Sequence, residues 1–232
     1  MQAIILAGGF GTRLKTVVSD VPKPMAPIQS KPFLAYLLDY LHAMEFKQIV
    51  LSVHHMSEVI QAYFQNNYRG MTITYAFENE PLGTGGAIVH ALKSVRQDEP
   101  TWVLNGDTFL ALDYKAMYQQ HRNSPLTLAL QKVQDASRYG NVATHENQII
   151  EFQEKGAVMP GLINAGVYLL HPTLFTAFSL PPIFSFEQDF LQPLITSIKP
   201  QAFIVNQYFI DIGIPEDYQR AQTEVPRIIE SY

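Results

Sequence analysis

The chain alternates short apolar runs with longer stretches in which apolar positions recur every three or four residues. The short runs predict buried strands, and the longer stretches predict helices that pack one face against a sheet. Residues 3–7 form the first predicted strand, residues 32–46 the first long helix, and residues 48–53 the next strand. This alternation predicts an α/β fold with a mostly parallel sheet.

The same pattern continues along both halves of the chain. The first half has predicted helices at residues 57–67, 84–95 and 114–121, and predicted strands at residues 72–77, 101–104 and 126–131. Ser57 is predicted to cap its helix, and Ser30 lies near the start of the first helix. The second half begins with a predicted β-hairpin of residues 141–144 and 148–152. It continues with strands at 162–170, 203–205 and 208–211, helices near 172–178 and 187–198, and a last helix that begins at Pro215.

Composition restricts the class of protein. The 232 residues are 47% hydrophobic and 16% charged, which suits one globular α/β domain. The net charge of −5 does not favour nucleic-acid binding. Within residues 1–31, however, Asp20 is the only acid among four basic residues, which favours a bound polyanion. Those basic residues are Arg13, Lys15, Lys23 and Lys31.

The chain has no cysteine, which excludes disulfides, thiolate metal sites and cysteine nucleophiles. No apolar run reaches the ~20 residues of a membrane-spanning helix, and the first residues lack the basic segment of a signal peptide. We therefore expect a cytoplasmic protein that has no membrane partner.

A glycine-rich motif, L-A-G-G-F-G-T-R-L, follows the first predicted strand, and P-K-P-M comes shortly after it. Gly8, Gly9 and Gly11 let backbone N–H groups approach a phosphate closely. Arg13 and Lys23 add two separated cations, and this combination suits a triphosphate. The P-loop and dinucleotide-binding patterns are both absent. A tight turn that binds nothing would explain the glycines alone, but not the glycines together with the cations.

These motifs resemble the signature of the sugar-1-phosphate nucleotidyltransferases, and the resemblance continues in order along nearly the whole chain. The further matching segments are P-L-G-T-G-G-A at residues 81–87, N-G-D at 105–107, E-K at 154–155, N-A-G at 164–166 and D-I-G-I-P-E-D-Y at 211–218. The resemblance implies a three-layer α/β/α Rossmann-like fold with a mixed, mostly parallel sheet. It implies one domain over residues 1–232, with a nucleotide-binding half at about 1–125 and a sugar-phosphate-binding half at about 126–232. No hexapeptide repeat is present, so a C-terminal β-helix is not expected.

The reaction implied is transfer of GMP from GTP to a sugar 1-phosphate with release of pyrophosphate. The matching segments of the sequence favour D-glycero-α-D-manno-heptose 1-phosphate as the sugar substrate. The product would then be GDP-heptose, for lipopolysaccharide or capsule biosynthesis. Mannose 1-phosphate or a pyrimidine nucleotide stays open as an alternative substrate. A non-catalytic, nucleotide-sugar-binding regulatory subunit is an alternative of another class, and a homodimer is an open possibility.

The resemblance implies roles for four charged residues. Arg13 would neutralise the β- and γ-phosphates, and Lys23 would hold the α-phosphate as the nucleophile approaches. Both would otherwise be ordinary surface cations. Asp107 and Asp211 follow apolar runs, and a pair of carboxylates from two strand ends suits Mg²⁺. Taken alone, Asp107 would be a turn or helix-capping residue.

The nucleotide would contact the glycine-rich loop and the segment that follows the third strand. The predicted contacts are Leu6, Ala7, Gly8, Gly9, Gly11, Thr12, Arg13, Glu78, Pro81, Gly83 and Thr84. Glu78 is the candidate for guanine recognition, because one carboxylate can accept from both N1–H and the exocyclic amine of the base. Glu80 is the alternative, and both would otherwise be exposed loop acids.

The sugar phosphate would contact residues of the second half. The predicted contacts are Tyr139, Gly140, Glu154, Lys155 and Asn164. Lys155 would hold the phosphate and Glu154 would accept from sugar hydroxyls, although an isolated Glu-Lys pair is otherwise a solvated turn. The aromatic side chains of Phe184, Phe186 and Phe190 are interpreted as core or interface, and the stretch that they span is expected near the tail of the sugar.

Overall fold

The computed structural model describes residues 1–9, 11, 14, 17–121, 124–153, 156, 158–230 and 232. Its strands in chain order are β1 (Gln2–Leu6), β2 (Pro27–Ile28), β3 (Lys31–Pro32), β4 (Gln48–Val53), β5 (Asn67–Tyr68), β6 (Met71–Phe77), β7 (Thr101–Asn105), β8 (Thr108–Leu110), β9 (Leu126–Val133), β10 (Val142–His145), β11 (Gln148–Phe152), β12 (Gly161–Leu170), β13 (Gln201–Val205) and β14 (Phe209–Asp211). Its helices are α1 (Phe33–Ala43), α2 (Ser57–Phe64), α3 (Gly83–Ala91), α4 (Tyr114–His121), α5 (Gln192–Ile198) and α6 (Pro215–Ile229).

A large mixed sheet forms the centre of the molecule. In the described part of the chain it contains ten strands in the order β10-β11-β13-β9-β12-β7-β1-β4-β6-β5. Strands β4, β6 and β7 run parallel to β1 or to each other, and β13 runs parallel to β9. Strand β12 is antiparallel to both of its neighbours, and it joins the β9 side of the sheet to the β7 side. The predicted α/β class with a mixed, mostly parallel sheet is confirmed.

Successive residues of β1 face opposite sides of the sheet and so separate two layers. Ala3 and Ile5 belong to a buried cluster with residues of α1, α2, α4 and α6. Ile4 belongs to a second cluster with residues of α3 and α5. The sheet is therefore covered on both faces, which explains why its central strands are almost continuously apolar.

Several sequence predictions were wrong in detail. Ser57 is the first residue of α2 and does not cap it, since the N-cap residue is Met56 in a left-handed conformation. The first helix, predicted at 32–46, is α1 (Phe33–Ala43), with Pro32 as its N-cap residue. The predicted helix at 187–198 is two elements, a π-helical turn (Phe186–Leu191) followed by α5. The predicted helix at 84–95 ends at Ala91 and continues as a 3₁₀ turn.

The short strands β2, β3, β5 and β8 were not predicted, because two or three residues are too few to show a period. The segment predicted as a helix near 172–178 is a 3₁₀ turn, Leu174–Ala177. The hairpin of β10 and β11 is confirmed. Within the described residues, none of the helices combines the length and the apolar character needed to cross a bilayer.

Candidate active site

The carboxyl ends of the parallel strands meet at one edge of the sheet. Leu6 ends β1 and Asn105 ends β7, and these two residues are paired in the register of the strands. Strands β4 and β6 end beside them at Val53 and Phe77. Open α/β sheets bind ligands at this edge, because the loops that leave the strands diverge there.

Three cavities that share lining residues lie along this edge. The cavity lined by Glu78, called the Glu78 cavity, has a volume of about 350 Å³. The cavity beside it that is lined by Lys23, called the Lys23 cavity, measures about 200 Å³. The cavity lined by Tyr139, called the Tyr139 cavity, measures about 450 Å³. Leu6 lines all three, Asp107 lines the first two, and Gly213 lines the second and third. The Glu78 and Tyr139 cavities also share Thr84 and Asn105, so the three cavities adjoin one another and form one groove.

Lys23 places one ammonium group between two carboxylates in the Lys23 cavity. Its Nζ donates to Asp107 Oδ2 at 2.6 Å and to Asp211 Oδ1 at 3.4 Å. The side chain is only 9% exposed. Lys23 begins a 3₁₀ turn between Pro22 and Pro24, whose rings restrict the backbone and so fix the direction of the side chain. The structure thus brings together three residues that are up to 188 positions apart in the sequence.

Asp107 lies in the turn between β7 and β8, and Asp211 ends β14. Strand β8 follows Asp107 directly, and it pairs with β14 so that Thr108 lies opposite Asp211. Burial and the neighbouring charge of Asp107 raise the pKa of Asp211, while Lys23 opposes this shift. Two close carboxylates share one ammonium group, so the three side chains together carry a net negative charge. Their oxygen donors fit a hard cation such as Mg²⁺ when phosphate oxygens complete its coordination.

Glu78 lines the cavity named after it, directly after β6. Its Oε1 accepts from the hydroxyl of Ser52 at 3.0 Å, and its Oε2 accepts from the N–H of Leu82 at 3.1 Å. These two contacts orient the carboxylate from both sides. Each carboxylate oxygen has a second lone-pair direction, so the group retains acceptor capacity. Glu80, the alternative candidate, is exposed and does not line the Glu78 cavity.

Most of the residues predicted to contact the nucleotide line this part of the groove. They are Leu6, Gly8, Gly9, Glu78, Pro81, Gly83 and Thr84 at the Glu78 cavity, and Gly11 at the Lys23 cavity. Ala7 is buried, and its N–H donates to the carbonyl of Ser52 at 2.8 Å. Thr12 and Arg13 lie outside the described residues.

Two of the residues predicted to contact the sugar, Tyr139 and Asn164, line the Tyr139 cavity. Tyr139 packs edge-on against Phe209, and Asn164 lies on β12 where the register against β9 shifts. Gly166 permits this irregularity with a φ of +69°, and a Cβ at this position would overlap the side chain of Asn105. Gly140 follows Tyr139, and its N–H donates to the carbonyl of Ala136. Glu154 and Lys155 lie outside the described residues.

Sequence reasoning missed several charged and polar side chains at the groove. Arg138 lines the Tyr139 cavity, and its guanidinium donates to the buried Asp217 at 2.7 Å. Glu187 lines the same cavity, and Ser52 contacts Glu78. Arg138 directly precedes the predicted Tyr139, so its position was a usable signal. Nothing local distinguishes Glu187 or Ser52, because each becomes significant only through a contact with a distant strand.

The groove is that of an enzyme that joins a nucleotide to a second phosphorylated group, and comparison with known proteins identifies the family. The model of the family described as Nucleotidyl transferase matches residues 2–227, and the chain belongs to this family. It is 46% identical, over 99% of its length and all of the relative's, to D-glycero-alpha-D-manno-heptose 1-phosphate guanylyltransferase of Aneurinibacillus thermoaerophilus.

Two further relatives agree with this result. The protein of the same description from Campylobacter jejuni is 48% identical over 94% of this chain and 97% of the relative. The crystal structure of HddC from Yersinia pseudotuberculosis complexed with GMP-PN is 40% identical and superimposes with a TM-score of 0.85. That match covers 95% of this chain and 97% of the HddC chain.

Proposed function

We propose that this protein transfers GMP from GTP to D-glycero-α-D-manno-heptose 1-phosphate, forming GDP-heptose and pyrophosphate. The observation that carries the proposal is the position of Lys23, between two carboxylates and in a cavity that adjoins the two larger cavities of the groove. Such a groove can hold a nucleotide at one end and a phosphorylated sugar at the other. The similarity to two heptose 1-phosphate guanylyltransferases supports the choice of substrates.

In the proposed reaction, an oxygen of the sugar phosphate attacks the α-phosphorus of GTP. The bond between the α-phosphorus and the oxygen that bridges to the β-phosphorus breaks, and pyrophosphate leaves with the electron pair. The nucleophile is already an anion, so no residue has to remove a proton. The main barrier is repulsion between two polyanions, which fixed positive charge reduces. Lys23 supplies that charge at the point where the cavities meet.

Asp107 and Asp211 would hold Mg²⁺ in this scheme. The bound ion would supply further positive charge to the phosphates. The carboxylates also keep the Lys23 ammonium in place through their two ion pairs. Arg13 would neutralise the β- and γ-phosphates, a role that rests on the sequence motif.

Base selection is assigned to Glu78. Guanine presents two adjacent N–H donors, and a carboxylate held by Ser52 and Leu82 can accept from both. The known complex of HddC with GMP-PN supports a guanine nucleotide in a protein of this fold.

Arg138 is assigned to the phosphate of the sugar substrate. It is the one basic side chain among the described residues that line the Tyr139 cavity. Its contact with Asp217 uses part of the guanidinium fork, and the remaining N–H groups can bind phosphate oxygens. Lys155 would add a second cation on the evidence of its motif. The product would serve a surface glycan such as lipopolysaccharide or capsule, and the enzyme would work in the cytoplasm.

A pyrophosphate-release assay tests the proposal directly. Each of the four nucleoside triphosphates is combined with the 1-phosphates of heptose, mannose and glucose, with and without EDTA. We expect release with GTP and a manno-configured sugar 1-phosphate, and loss of release when EDTA removes the metal. Binding of GDP-sugar without turnover of any pair would favour the regulatory subunit instead.

A further inference from the structure

The segment of the Tyr139 cavity wall around Glu187 is held by several hydrogen bonds and by aromatic packing. Ser185 is the N-cap residue of the π-helical turn, and its hydroxyl accepts from the N–H of Gln188. The carboxylate of Asp189 accepts from the N–H of Ser185 at 2.6 Å. The N–H of Phe186 donates to the hydroxyl of Thr84 on α3 at 2.9 Å. Phe186 is buried within an aromatic cluster. The backbone on both sides of Glu187 is therefore fixed, and π-helical turns often occur at functional sites.

Asn164 orients the carboxylate of Glu187. Its side-chain NH₂ donates to Glu187 Oε2 at 3.1 Å and to the hydroxyl of Tyr168 at 2.9 Å. Its carbonyl oxygen accepts from the N–H of Gly166 at 3.1 Å. Both amide hydrogens of Asn164 are therefore used inside the protein. This leaves Asn164 better suited to holding Glu187 than to binding the sugar itself.

Of the side chains that the structure describes, three charged ones line the cavity, Arg138, Glu187 and Asp211, and Asp211 is already paired with Lys23. Arg138 and Tyr139 contact α6 and β14 through Asp217 and Phe209, whereas Glu187 contacts β12. An anionic phosphate is attracted to Arg138 and Lys23 and repelled by Glu187. The neutral hydroxyls of a sugar are instead good donors to a carboxylate, and hydrogen bonds to charged groups are stronger than neutral ones.

We propose that Glu187 is a sugar-recognising residue whose carboxylate accepts hydrogen bonds from ring hydroxyls of the bound sugar 1-phosphate, with Asn164 as its positioning residue. The assignment rests on the proposed function. It explains why an acidic side chain lines a cavity that must also admit a phosphate.

The variant Glu187→Gln tests the proposal because glutamine keeps an oxygen that can accept from Asn164, while it loses the charge and exchanges the second acceptor oxygen for a donor. We expect its KM for mannose 1-phosphate to rise by about 10- to 100-fold, the usual loss for a hydrogen bond to a charged group. The KM for GTP should stay within about twofold of the wild-type value, because the substitution leaves the residues proposed to bind the nucleotide unchanged. Glu146→Gln, an exposed turn residue outside the cavity, is the matched control and should behave as wild type.

Ring-deoxy analogues of mannose 1-phosphate, each lacking one hydroxyl, separate recognition from a general disturbance. Wild type should discriminate against at least one analogue, and Glu187→Gln should lose that discrimination. An unchanged sugar KM in Glu187→Gln, or equal discrimination in both proteins, would overturn the assignment. A wild type that releases no pyrophosphate with any sugar 1-phosphate would instead remove the proposed function itself.

Discussion

Lys23 provides one positive charge against two carboxylates, so the three side chains act as a unit. Replacing Asp107 or Asp211 by asparagine keeps the shape of the side chain and removes a negative charge. We expect each variant to lower kcat by about 10²–10³-fold, as the loss of one well-placed electrostatic group typically does. The measurement is pyrophosphate release with GTP and a sugar 1-phosphate at saturating Mg²⁺. Exposed Asp98→Asn serves as the control, and near-normal turnover in a folded Asp107 or Asp211 variant would remove that residue from the site.

Glu78 and Glu80 form a natural matched pair, since they are two residues apart and only Glu78 lines the groove. Glu78→Gln replaces one of two acceptor oxygens by a donor. We expect its preference for GTP over other nucleotides to fall by about 1–3 kcal/mol, the value of one good bidentate base contact. Competition between GTP and UTP measures this preference. A loss of preference in Glu80→Gln, with Glu78→Gln unchanged, would transfer base recognition to Glu80.

At the scale of elements, α3 packs against the segment around the π-helical turn, and Thr84 of α3 lines both the Glu78 and the Tyr139 cavities. The carbonyl of Phe184 accepts from the N–H of Gly85 at 2.9 Å, and a Cβ on Gly85 would overlap the ring of Phe184. Gly85→Ala must therefore push the turn away from α3. We expect a loss of stability of about 1–3 kcal/mol, measured by urea unfolding.

The same clash gives a direct control for Gly85→Ala. In a Phe184→Ala background the ring is absent, so the added methyl group should cost much less. A double-mutant cycle by urea unfolding measures the difference. Equal costs of Gly85→Ala in both backgrounds would show that the ring of Phe184 is not the obstacle.

His121, at the end of α4, links that helix to β9 through a 2.9 Å hydrogen bond between its Nδ1 and the hydroxyl of Thr127. Burial, with a contribution from His171, lowers the pKa of His121 to about 4. Its folded pKa is below the ordinary value of about 6.5, so the stability it gives is present above pH ~6.5 and is lost as the pH falls toward 4.

We expect the wild-type Tm to fall between pH 7 and pH 5 by a few degrees more than the Tm of His121→Asn, because about 1 kcal/mol corresponds to 2–4 °C in a domain of this size. Asparagine can still bond to Thr127 but does not titrate. Thermal unfolding followed by circular dichroism provides the measurement, and parallel pH profiles of the two proteins would contradict this role of His121.

The elements show which parts of the structure a sequence can predict. Strand β4 and helix α4 were predicted at their observed bounds, because each has a clear apolar period and several residues. The π-helical turn was hidden in a predicted helix, since one inserted residue barely changes the apolar pattern. Ser57 was a plausible cap by type, but the left-handed Met56 before it changes where the helix begins.

At the scale of the whole molecule, the motifs predicted which residues meet, while the topology explains how they meet. Lys23, Asp107 and Asp211 were assigned to one site from separate motifs, and the structure places them in direct contact. Arg138 and Glu187 were missed, because their proximity to the groove depends on contacts with α6 and β12. These two side chains line the Tyr139 cavity, which is proposed to bind the sugar and where the shared motifs say least about the substrate.

Sugar choice is the most specific part of the account, since nucleotide and phosphate contacts would serve heptose and mannose equally. The two sugars share a manno ring, and heptose has one further CH–OH unit. A site built to bond that hydroxyl discriminates strongly against its absence. Gln188 and Tyr139 line the cavity proposed to bind the sugar and are the candidates for contacts with the extra unit.

The most direct test is to measure kcat/KM with GTP for D-glycero-α-D-manno-heptose 1-phosphate and for mannose 1-phosphate under identical conditions. The account predicts a clear preference for the heptose substrate, about tenfold or more for one satisfied hydrogen bond, with mannose 1-phosphate a poor but measurable substrate. Equal values, or a preference for mannose 1-phosphate, would contradict it.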